Sequence, residues 1–135
     1  QAISVLSQTI SVLSQAHSAL SAAVRIFTIG GAVMFPAFGA TNVVLWRAAL
    51  SCTVTAVRGF RVGGVSAVVN ARINGVSTHL ATDLNLGTGS EWSVISTVQN
   101  AVYAIGDRLE IMISLASATS LPSEVAVQVD FTRTP

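Results

Sequence analysis

Lysine is absent from these 135 residues, and all seven side-chain cations are arginines. A P-loop needs a lysine to reach nucleotide phosphates, so that class of nucleotide chemistry is excluded. Charge of either sign is scarce, at 10% of residues against about 25% in ordinary soluble domains. The net charge of +1 gives no electrostatic hold on nucleic acid or on an acidic membrane surface. A single cysteine, Cys52, rules out an intrachain disulfide, and its place in an alternating apolar and polar run predicts a buried, inert thiol. His17, His79 and Cys52 fall on different segments, so no metal site is expected within one subunit, and no cofactor. The nucleophile elbow GxSxG is missing, and no catalytic residue is assigned. Paired carboxylates remain the one open enzymatic route, because Glu110, Glu124 and Asp130 sit on polar faces of strands that may be neighbours. No basic start, apolar middle and small-residue cleavage site mark a signal peptide.

What the chain does have is a seam. Residues 3–27 read ISVLSQT, ISVLSQA, HSALSAA, VRIF, with a positions Ile3, Ile10, His17 and Val24 and d positions Leu6, Leu13, Leu20 and Phe27. A strict seven-residue apolar repeat keeps one stripe facing another helix only if the helices supercoil, so the repeat predicts association of copies. Gly30 and Gly31 supply a left-handed cap, which places the helix end near Thr28. Val5 and Val12 widen the apolar face toward three helices, whereas Ile at a with Leu at d favours two in a parallel pair. His17 is the polar member of the seam and carries two readings. It fixes register and oligomer number, or its copies converge on the axis to hold an ion or water.

Apolar residues make up 51% of the chain and mean hydropathy is +0.66. A compact monomer of 13.9 kDa exposes roughly 6,700 Å², which so few charges cover thinly, so burial against copies or a membrane is expected. Eleven of residues 1–24 are Ser, Gln, Thr or His, which excludes that segment as a membrane span. Ile26 to Trp46 carries no charge at all but holds three glycines, Pro36 and Asn42, a composition suited to a folded connector.

From Asn42 onward the apolar period becomes two. Residues 51–57, 65–73, 76–80, 92–98, 108–116 and 124–132 read as strands, clearest where Val125, Val127, Val129 and Phe131 alternate with polar or small residues. Asn74 and Gly75 form the strongest hairpin signal, and residues 117–123 read as a hairpin loop joining the last two strands. The expected fold is mainly β: a coiled-coil stalk helix over 1–28, a Gly-rich connector over 29–47, and an antiparallel, jelly-roll-like β-sandwich head over 48–135.

Trp92, Tyr103 and His79 are the candidate ligand-binding residues, since an aromatic face stacks on a saccharide while polar neighbours orient it. Trp92 follows a Gly-rich loop, a position suited either to binding or to plugging the core or a subunit interface. Arg58 and Arg61 have opposite parity and point to opposite faces unless a bulge intervenes at Gly59, so pairing with acids is favoured over a nucleic-acid surface.

With these pieces placed, residues 48–132 resemble the C-terminal domains of bacteriophage tail fibre proteins. The resemblance rests on SCTVTAVRGFRVGG, VVNARINGVSTHLATDLNL, the Trp92 strand, VQN, GDRLEIMI and VAVQVDFTR. It implies a homotrimer, a stalk above a β-structured tip, and adsorption of an extracellular virion to a bacterial surface glycan or outer-membrane receptor. A start at Gln1 leads to the expectation of a fragment with fibre segments upstream, and charge and composition to the expectation of neither nucleic-acid binding nor membrane insertion. A polysaccharide depolymerase tip, a membrane-associated oligomer and a purely structural trimerisation knob are the rival readings.

Overall fold

A computed structural model describes residues 2–23 and 25–133. The first element, α1 (Ala2–Ala23), is an α-helix, and every side chain from Ser4 to Ala16 is exposed. Leu6, Ile10 and Leu13 are 61%, 58% and 64% exposed, so among the described residues nothing covers the seam there. Among the described residues no helix is long and apolar enough to cross a membrane.

The helix ends earlier than Thr28, because the run from Ile26 is rich in β-branched and aromatic residues and pairs as a strand. Phe27 therefore leaves the seam and stacks on Phe131, ring centroids 5.2 Å apart and 8° from parallel. The expected connector is likewise two strands, β1 (Ile26–Met34) and β2 (Gly39–Arg47). Gly30 and Gly31 are not a helix cap. A methyl at Gly31 would meet Leu45 Cδ2 at 2.5 Å, so the glycine is there to let β2's side chain approach β1's backbone. The head thus begins at β1.

Eight further strands follow: β3 (Cys52–Val62), β4 (Val68–Ile73), β5 (Ser77–Thr78), β6 (Leu84–Asn85), β7 (Ser93–Ile95), β8 (Val102–Tyr103), β9 (Arg108–Leu115) and β10 (Glu124–Arg133). They form two antiparallel sheets, ordered β1-β10-β3-β7 with β8 on β3, and β2-β9-β4-β5 with β6 on β4. The first four strands alternate between the sheets, as do β8, β9 and β10, which is the winding of a jelly roll. For that reason β9 and β10 are not the expected hairpin: residues 116–123 carry the chain from one sheet to the other. The turn at Asn74 and Gly75 is as expected, with both residues at positive φ and Val76 N–H donating to the Ile73 carbonyl.

The inward residues of β10, Val125, Val127, Val129 and Phe131, are completely buried against Ile111 and Ile113 of β9 and Val57 and Val69. Arg58 and Arg61 do face opposite ways. The bulge lies near Thr55, opposite Asp130 and Phe131, rather than at Gly59, whose missing side chain admits Leu86 and Val69.

Candidate functional site

Strand registers give the sandwich two distinct ends. Met34 and Val62 both pair with Glu124, which sets the loops after β1, β3 and β9 at the end away from α1. These loops are bonded together. Phe35 N–H donates to the Ser123 carbonyl at 2.7 Å, Val65 N–H to Ser120 at 3.2 Å, and Ser123 N–H to Val62 at 2.9 Å. Phe35, Pro36, Leu121, Pro122 and Ser123 line an open cavity of 260 Å³ there. Phe35 has φ of 49° and is 77% exposed; Phe38 and Val65 are also exposed. A bulky residue held at positive φ is strained, and the strain is offset by the bonds that fix its neighbours. Residues 34–39, 63–67 and 116–123 contain no charge. An open, apolar, aromatic cavity on loops backed by a rigid sandwich suits an apolar ligand face with few polar groups.

Trp92 belongs to this same end. It is 46% exposed and its ring lies 5.1 Å from Phe60 on the outer face of the first sheet, so it is not a core plug. Arg61 holds the loop that carries it. This arginine is only 4% exposed and binds four backbone carbonyls: Leu86 through Nε at 2.8 Å, Gly63 and Gly64 through Nη1 at 2.6 and 2.8 Å, and Gly87 through Nη2 at 2.9 Å. Ser90 N–H closes the loop onto the Arg61 carbonyl at 2.7 Å. The pairing with acids expected of Arg58 and Arg61 is thus met by Arg58, which binds Asp130, but not by Arg61; Arg72 also pairs with an acid, Glu110. Carbonyl dipoles converge on the Arg61 guanidinium instead, a planar donor fork suited to several acceptors at once.

Tyr103 and His79 do not join Trp92. Both are completely buried near the α1 end, where Tyr103 pairs with Cys52 across the sheet. His79 Nδ1 faces the Gln99 carbonyl at 3.3 Å, and that oxygen can only accept, which puts the ring proton on Nδ1. Nε2 then accepts from the Tyr103 hydroxyl at 2.7 Å. Burial pushes the His79 pKa down and the Tyr103 pKa up, so both stay neutral and the pair locks the core. Cys52, also buried, is pushed up to about 11 and holds no thiolate at neutral pH. The side chain of His17 lies outside the described residues.

The three candidate carboxylates are not brought together: Glu124 and Asp130 lie six residues apart along β10, and Glu110 lies on the other sheet. Glu110 sits on the second sheet between Arg72 and Arg108, while Asp130 sits on the first, bound by Arg58 and by the Thr28 hydroxyl. Among the described residues no group of three or more His, Cys, Asp or Glu is placed to hold a metal. The aromatic and apolar lining of the distal end was missed in the sequence except for Trp92. The string FPAFG, with two phenylalanines around a proline, is the signal that marks it.

Neither protein-family profiles nor the sequences of curated proteins match this chain. Solved structures do. A chain of the cyanophage Pam1 capsid asymmetric unit superposes with a TM-score of 0.55 at 14% identity, over 81% of this chain and 85% of that one. The jelly-roll sandwich is therefore shared with a viral capsid chain. More distant are infectious bursal disease virus, Gx strain (0.44, 16%, 81% and 33%), and the CBM36-1 domain of a xylanase from the hindgut metagenome of Trinervitermes trinervoides (0.45, 11%, 77% and 95%).

Proposed function

We propose that this chain is a non-enzymatic virion attachment module, the tip of a phage tail fibre that adsorbs to the bacterial surface as a homotrimer. The observation that carries this reading is the polarity of the molecule. An uncovered apolar helix seam enters one end of the sandwich, and uncharged aromatic loops crown the other. The seam associates three copies into a parallel coiled coil, with upstream fibre above it and His17 in its line. Three heads then present three copies of the distal cavity and of the Trp92–Phe60 platform in one direction. Weak contacts with a surface glycan or outer-membrane receptor multiply into avidity in this arrangement. The sandwich shared with a cyanophage capsid chain supports a virion setting outside the cell.

The test is binding of the fluorescently labelled full chain to a panel of bacterial strains, with purified surface glycan as competitor. Saturable, glycan-competed binding that Trp92→Ala or Phe35→Ser weakens is the expected result. Release of reducing ends from the glycan would replace this reading with the depolymerase.

A further inference from the structure

The two sides of the sandwich are finished differently, and the charge-free segment from Ile26 to Trp46 forms one of them. β5 and β7 end their sheets after two and three residues, the short edges by which β proteins avoid pairing with strangers. On the opposite side β1 and β2 are edges of nine residues each. β1 has no charge, no proline and no bulge, and β2 has only the irregularity at Leu45 and a terminal arginine. Such edges are templates for another chain unless something covers them.

The core is also unfinished on this side. Inward residues Ile29 and Val33 of β1 and Val43 and Leu45 of β2 are only half-buried, whereas Val125, Val127 and Val129, one strand further in, are at 0%. On the two strands themselves Ile26, Met34 and Val44 are 68%, 58% and 56% exposed, apart from the loop aromatics already placed at the distal cavity. One folded chain therefore leaves its apolar surplus here.

We propose that the β1–β2 side is the surface on which the heads of neighbouring copies pack. This rests on the homo-oligomeric reading above and names its second interface. The occupant is a copy of this chain because the side continues the helix seam. Only Val24 and Arg25 separate α1 from β1, and three Cα steps span at most ~11 Å. Helices packed in a bundle lie about 8–10 Å apart, so the first strands of neighbouring heads begin within about 30 Å of one another, the reach of adjoining domains.

Hydrogen–deuterium exchange on the full chain, compared with the seam variant carrying Leu6→Glu and Leu13→Glu, reads this directly. In the oligomer, β1 and β2 amides are expected to exchange at least tenfold more slowly than in the monomeric variant, with β5 and β7 unchanged. An intact oligomer whose β1–β2 amides exchange as fast as the monomer's would overturn the head interface while leaving the stalk reading in place. A monomeric full chain removes both. As an independent check, Ile26→Lys with Val44→Lys alters two exposed positions that the folded monomer does not need, and should weaken association at least tenfold by sedimentation. Unchanged association, or flotation of the full chain on phosphatidylcholine vesicles through Ile26–Trp46, contradicts the proposal.

Discussion

Around β10, β3 and β9 the sandwich is closed by its own chain, while toward β1 and β2 it stays half-open. Phe131 is 0% exposed beneath Phe27, Trp46 and Tyr103, yet Leu45, which fills the space over Gly31, still meets solvent. The contrast separates two kinds of stability. Packing in the closed region is complete within the single chain, and packing in the open region is, on the proposal above, completed by neighbouring copies.

Substitutions on the two sides should break that comparison cleanly. Phe131→Ala removes a fully enclosed ring and is expected to cost about 3–5 kcal/mol in urea unfolding, at any protein concentration. Leu45→Ala should cost less in dilute solution and more where a neighbour covers it, so its penalty grows with concentration. If both penalties were independent of concentration, the division would fail.

Arg61→Ala comes next. It leaves the carbonyls of Leu86, Gly63, Gly64 and Gly87 without their shared donor, a loss of about 2–3 kcal/mol. Amide exchange should quicken in the loop before Trp92 and leave β1 unaffected.

A smaller effect is expected from pH through His79. Its folded pKa is lowered by burial, so the native state refuses a proton that the unfolded chain accepts below the ordinary value of about 6.5. Stability is then full above that value and falls as the pH drops through it toward the folded pKa. The urea midpoint of the parent should fall more steeply between about pH 7.5 and 5 than that of His79→Gln, in which the unfolded state gains no proton at this position. Equal slopes would mean that the imidazole is not held neutral. Least of all, Asp130→Asn should cost under about 1 kcal/mol, because its partner Arg58 is 40% exposed and water screens the pair.

The sequence made the closed region legible and hid the open one, for a physical reason. β9 and β10 show apolar alternation, broken on β9 only by Met112, because one face is buried to completion, and Asn74–Gly75 can adopt few other turns. β1 alternates too, but its inward positions include Gly31 beside a half-buried Ile29 and Val33, so its glycines read as punctuation rather than as room for Leu45. The β9–β10 connection misled because neighbours in sequence need not be neighbours in a jelly roll. At the site, the loop before Trp92 left an exposed ring and a buried plug both open. Nothing local to Tyr103 or His79 told that they would meet each other across the core instead. For Arg61 the sequence pointed to an acid as partner, because its carbonyl partners come from loops far apart in sequence that only the fold brings together.

The account stands or falls on copies associating through the helix seam. Sedimentation equilibrium of the full chain measures this most directly. The prediction is a particle three times the 13.9 kDa chain mass that falls to the single-chain mass on Leu6→Glu with Leu13→Glu. A full chain that sediments at 13.9 kDa at every concentration would contradict it.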